Sequence, residues 1–161
     1  LVAWEFMTAP GRRAGWQTGV TGVEIVAEGK RRGVGATTHC MHGKAASIEE
    51  ALDWRPCDYY TIRNNVPTPL GMIRFLQTTE FEPTPSGTVI HMRMAAPKSR
   101  KELITMKAAR PMLEAGLRIA RASLVAQLDA ELERRTRGDV AEPDLPRSRP
   151  DGVLAEFGTQ P

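Results

Sequence analysis

Cysteine is nearly absent: Cys40 and Cys57 are the only two in 161 residues, too few and too unpatterned for a disulfide scaffold. A reducing, cytoplasmic setting fits that usage. Long apolar runs are missing as well. No stretch approaches the ~20 residues of a membrane-spanning helix, and no basic segment followed by an apolar one opens the sequence, so the expectation is a protein neither secreted nor embedded. An excess of one charge is also lacking. The 22 basic residues stand against 19 acidic ones, a net +3 spread along the chain, which is too weak a balance to argue for nucleic-acid binding. The clusters Arg12-Arg13, Lys30-Arg31-Arg32 and Arg134-Arg135 are not interleaved with the aromatics that would stack on bases, and they read as solvated surface.

What is present fits one folded domain. Hydrophobic residues make up 41% and charged residues 25%, close to ordinary globular usage. Leu1 to Met7 reads as the middle of something, so the natural chain is expected to begin earlier. Leu1, Trp4 and Met7 have helical spacing, which Pro10-Gly11 is expected to end. From Gly22 the texture changes to short β-branched runs: Val23–Ala27, Gly35–Met41, Ser47–Trp54, Asp58–Asn64, Met72–Phe81 and Thr88–Met94. A Gly or Pro stands in each break between them, as expected for six strands in meander order. Ser47 to Glu50 also matches a helix capping box, but Ile48, Glu50, Leu52 and Trp54 alternate onto one face, and the strand reading is preferred.

The C-terminal third predicts a long amphipathic helix. Ser99 and Glu102 form a second capping box, after which Leu103, Met106, Leu113, Leu117, Ala120, Leu124 and Leu128 recur mostly at spacings of three and four. An unbroken helix from Glu102 to Arg137 would reach roughly 54 Å, so Pro111 is expected to kink or divide it. Beyond residue 137 the prolines Pro143, Pro146 and Pro150 mark a tail or linker over residues 138–161, which leaves residues 1–137 as the folded domain.

The order of several landmarks resembles the START-like, polyketide-cyclase-like superfamily. They are Trp4-Glu5-Phe6-Met7-Thr8-Ala9-Pro10, Trp16, Gly33-Val34-Gly35, Trp54-Arg55-Pro56-Cys57-Asp58-Tyr59, and Glu80-Phe81-Glu82-Pro83 running to Gly87-Thr88. The resemblance implies an α+β helix-grip fold, a curved antiparallel sheet wrapped around the last helix. Members normally begin with one further strand, which is missing here. The run His39-Cys40-Met41-His42-Gly43, with Trp54-Arg55-Pro56, is similar to a bacterial subgroup found beside class III adenylate cyclase domains. No cyclase catalytic segment is present, and that activity is not carried over.

The resemblance further implies a cavity between sheet and helix for a small hydrophobic molecule, a lipid or a polyketide-like compound. If the apolar face of each strand turns toward the helix, Trp54, Tyr60, Phe75, Met92, Met94, Leu113 and Leu117 are the expected ligand-binding residues, with Leu52 and Ile62 beside them. Glu50 and Gln77 stand out as polar residues on those faces. His39 and Cys40 are adjacent in a strand and point to opposite faces, and Cys40 with His42 makes only two ligands, so no metal and no cofactor is expected. His91 is expected on the outer face with Arg93. Two alternatives remain open, a cyclase- or aromatase-type enzyme and a regulatory domain of a larger protein.

Overall fold

The computed structural model describes residues 2–26, 32–69 and 71–138. Two short helices come first, α1 (Val2–Thr8) and α2 (Pro10–Trp16). Pro10 does not end the helical region as its position suggested. It occupies the first turn of α2, where its missing N–H would have had no intrahelical partner in any case. Trp16 closes α2 and donates from Nε1 to the Phe6 carbonyl at 2.8 Å, which folds the two helices against each other.

Six strands follow: β1 (Gly22–Val26), β2 (Thr37–His42), β3 (Ala45–Arg55), β4 (Tyr59–Thr68), β5 (Gly71–Thr84) and β6 (Gly87–Met94). They form one antiparallel sheet in the order β1-β2-β3-β4-β5-β6, as the meander pattern required. Ser47 to Trp54 is strand, so the competing capping box is not used. Its inner face is different from the expected one, however. Ser47 and Ala51 are buried while Ile48 is exposed, and Glu50 pairs outward with Arg63 at 2.6 Å. A register shift between Ala51 and Asp53 then returns Trp54 to the inner side. A bulge of this kind adds one residue and reverses the alternation, which a strict period of two read from Trp54 backward cannot register.

The last helix, α3, runs from Arg100 to Thr136 as one element of 37 residues. Pro111 lies inside it and does not divide it. The prolyl ring is exposed, as is Lys107 one turn before, so the carbonyl that loses its donor is on the watery side. Water can serve that carbonyl, and the helix continues. Replacing Pro111 with Ala restores the missing donor at an exposed position. The expected result is a gain on the order of 1–3 kcal/mol in urea unfolding, with no change in fold by circular dichroism. Ser99 does hold the N-cap position, but its side chain makes no capping bond. Glu102 instead reaches the sheet, accepting from Arg74 Nε at 2.6 Å.

Further ties fix the other end of α3. Gln127 Nε2 donates to the Gly15 carbonyl at 2.7 Å and Thr18 Oγ1 to the Gly116 carbonyl at 3.1 Å. Glu131 is buried beneath Arg12, Arg134 and Arg135. Between these anchors lies the core, where Trp4, Phe6 and Met7 from α1 and Trp16 from α2 meet Tyr60, Ile62 and Phe81 of the sheet and Ala120 and Leu124 of α3. The expected tail at 138–161 falls almost wholly outside the described residues, as does Ala27 at the end of the first expected strand.

Candidate functional site

The basic pair Arg12-Arg13 is not uniformly solvated surface. Because α2 begins at Pro10, Arg13 and Trp16 stand three apart on one face and both turn inward. Arg13 donates from both terminal nitrogens to the Glu49 carboxylate, at 2.8 Å each, a planar two-point match that only arginine offers. Its NH2 also lies 3.1 Å from the Cys40 sulfur, which in turn is 3.3 Å from Glu49 Oε1. Both ionic side chains are almost entirely enclosed. Burial works against the charge on Arg13, but the adjacent Glu49 carboxylate outweighs it and holds the guanidinium more firmly protonated than a free arginine.

Cys40 is the buried member of this cluster. Burial pushes its thiol up to about 12, with Arg13 pulling the other way and Glu49 adding to the rise, so at neutral pH it is an un-ionised and unreactive thiol. Cys57 is exposed. Under native conditions a maleimide is expected to label one thiol per chain, at Cys57, with a second appearing only in denaturant. Rapid native labelling of Cys40 would contradict the buried cluster.

Beside the ion pair is a small cavity of about 30 Å³, whose walls include Met7, Thr8, Arg13, Glu49, Trp54 and Tyr60. A water needs about 10–15 Å³ measured this way, so the space takes one or two small groups. Arg13 Nε and Asn64 Nδ2 are buried without an acceptor among the described residues. Such donors cost free energy unless something accepts from them. Burial also raises the Tyr60 phenol pKa, against the pull of a hydrogen bond with Thr79.

The register shows how this polar end joins the rest of the concave face. Thr38, Glu49, Asn64 and Phe75 lie in one row across β2 to β5. The next row holds Ala51, Ile62, Gln77 and Met94, and the one after it Trp54, Tyr60, Thr79 and Met92. With strands about 4.8 Å apart, Phe75 stands roughly 10 Å from Glu49, and Asn64 lies between them. Met92 and Met94 face inward yet stay 37% and 48% exposed, so the concave face is incompletely covered at its β6 side.

Of the seven residues expected to bind a ligand, Trp54 and Tyr60 line the small cavity beside the ion pair. Phe75, Met92 and Met94 lie on the same concave face outside it. Leu113 is half-buried on α3, whereas Leu117 is 44% exposed. Gln77 points inward, and its Nε2 is 3.4 Å from Thr79 Oγ1. His91 is outward, 2.8 Å from Glu82. Among the described residues no three His, Cys, Asp or Glu side chains are grouped to hold a metal ion, and no helix is long and apolar enough to cross a membrane.

Comparison with known proteins adds the family. The family model described as polyketide cyclase / dehydrase and lipid transport matches residues 2–133, while no curated protein matches the sequence. Among solved structures, a Mesorhizobium loti protein superposes with a TM-score of 0.57 at 16% identity, over 77% of this chain and 87% of the other. DynU16, a protein from the dynemicin biosynthetic locus, gives 0.56 at 21%, over 79% of this chain and 42% of its own. A Chromobacterium violaceum protein gives 0.55 at 13%, over 79% and 87%. At these identities the likeness shows the helix-grip fold alone.

Proposed function

The chain belongs to the polyketide cyclase / dehydrase and lipid transport family, and from that premise we propose that it binds a small apolar molecule bearing an acceptor oxygen, held between the concave sheet face and α3. The observation that carries the reading is the pair of buried donors without acceptors, Arg13 Nε and Asn64 Nδ2, next to apolar side chains that the fold leaves partly uncovered. A ketone, ester or phenol oxygen would satisfy Asn64. The apolar body would then lie along Phe75, Met94 and Met92 beneath Leu113, while Trp54 and Tyr60 close the inner end. Leu117, at the rim, would border the mouth of the groove. Apolar area supplies affinity and the donor supplies orientation.

Binding is favoured over proton-transfer catalysis by the state of the polar groups. Glu49 commits both oxygens to Arg13, and the Tyr60 phenol is raised, so neither is arranged as a base near pH 7. Native mass spectrometry of the purified protein should reveal a co-purifying apolar mass. Titration with matched aromatic ketones and hydrocarbons should favour the ketone about tenfold, roughly 1.4 kcal/mol. Asn64→Leu should erase that preference and leave hydrocarbon affinity nearly unchanged. Failure of every such compound to bind, or a preference untouched by Asn64→Leu, would sink the reading.

A further inference from the structure

Among the described residues, the charges around the small cavity cancel pair by pair. Arg13 commits NH1 and NH2 to the Glu49 carboxylate. Arg32, on the outer wall of the cavity, donates to Glu5 at 3.4 Å and to Thr8 Oγ1 at 3.0 Å. Tyr60 and Cys40 bring no further charge near neutral pH, since burial raises the phenol and pushes the thiol up to about 12. His42 shares the concave side with Cys40 but is exposed, two residues farther along β2. Arg12 lies over the Phe6 ring instead of the cavity. The inward carboxylates of α3, Glu102 and Glu131, are held by arginines of their own, Arg74 for the first and Arg134 with Arg135 for the second.

What this end of the concave face offers a ligand is therefore hydrogen-bond donors without net charge. Arg13 Nε and Asn64 Nδ2 are buried and have no acceptor among the described residues. The first belongs to the ion pair itself. The second is carried by the register partner of Glu49, whose backbone lies about 5 Å away across an antiparallel pair. An oxygen accepting from either donor sits beside a carboxylate whose countercharge is already matched. A neutral carbonyl or hydroxyl oxygen needs one donor and finds it. An ionised carboxylate needs a cation to offset its lost hydration, and it finds both arginines paired and Glu49 facing it. Size does not make this choice: at ~10–15 Å³ per water, a cavity of about 30 Å³ has room for the two oxygens of a carboxylate.

Resting on the binding function proposed above, we infer that Glu49 is the residue that sets the class of ligand. By occupying Arg13 it restricts the oxygen subsite to uncharged oxygens, so that esters, ketones and alcohols are taken and the corresponding ionised acids are refused. An unpaired arginine in the same place would select the opposite class, because a free guanidinium is a two-point partner for a carboxylate.

Matched methyl esters and carboxylic acids on one aromatic body, titrated by calorimetry between about pH 5 and 8, read this directly. The acid, with an ordinary carboxyl pKa of about 4–5, should weaken about tenfold per pH unit, because only its protonated form enters. The ester should vary little, and it controls for titration of the protein's own groups. At pH 8 the ester should bind roughly a hundredfold tighter or more. In Glu49→Gln, Arg13 keeps one acceptor and gains a free charge, and the acid-to-ester affinity ratio at pH 8 should rise about thirtyfold or more. Arg13→Met with Glu49→Leu removes both charges and should show no such rise, which separates a freed cation from a loosened fold. The wild-type pH series stands whether or not Glu49→Gln folds. Acid and ester bound equally by wild type at pH 8, wild-type acid binding that is lost in Arg32→Gln, or an unchanged ratio in folded Glu49→Gln would overturn the role of Glu49 and leave the binding function intact. Failure of the esters themselves to bind would overturn both.

Discussion

Arg13→Ala is expected to lower stability by about 3–5 kcal/mol, because it leaves the Glu49 carboxylate buried without its partner. That is a large share of the 5–15 kcal/mol by which an ordinary domain is stable. The pair is enclosed on both sides, bidentate, and backed by the Cys40 thiol, so water has little access to replace the lost guanidinium. Glu49→Leu should cost a similar amount for the mirror reason, leaving an unpaired cation. Replacing both, as Arg13→Met with Glu49→Leu, should recover most of the loss, since two apolar side chains of similar volume avoid the desolvation of either charge. Urea unfolding of the three variants measures this directly. Near-additive losses in the double variant would mean that the two side chains act separately. If the double variant is stable but no longer prefers oxygenated ligands, Arg13 contributes to recognition as well as to folding.

The strand order, the first short helix and the long last helix were legible because their periods are local, whereas α2 was not, since Pro10 reads as a stop and instead opens that helix. The site was only half legible, and the residues show why. Trp54 could be placed on the inner face, but the bulge between Ala51 and Asp53 reverses the parity upstream of it. The inward carboxylate is accordingly Glu49 and not Glu50. Arg13 was hidden in a dibasic surface pair, since its inward direction depends on α2 starting at Pro10. The spacing of Arg13 and Trp16 was the available signal. Asn64 carries no pattern at all: a lone amide in a strand acquires meaning only when the register sets it between Glu49 and Phe75. The methionines at 92 and 94 were placed on the correct face, yet how much of them stays uncovered depends on the path of α3, a tertiary fact.

Trp4→Ala is expected to cost about 3–5 kcal/mol as well, by a different route. Trp4 is 5% exposed and stands at the centre of an aromatic cluster, with ring centroids 5.2 Å from Trp54, 5.8 Å from Tyr60 and 5.2 Å from Phe81, all edge to face. Edge-to-face contacts of this kind add roughly 0.5–1.5 kcal/mol each beyond area burial, and α1, only seven residues long, has little intrinsic stability to hold it in place without them. The lost indole therefore does more than leave a void. It weakens the attachment of the helix whose Met7 and Thr8 wall the cavity. Trp54, half-buried in the same cluster, should be cheaper to truncate, because water already reaches part of it. The ordering Trp4→Ala more costly than Trp54→Ala, with Trp4→Phe between wild type and Trp4→Ala, is the expected result in thermal and urea unfolding. A loss below about 1 kcal/mol for Trp4→Ala would mean that α1 is an appendage to the cooperative core, and the cavity would then have to be assigned a wall that moves independently of the sheet.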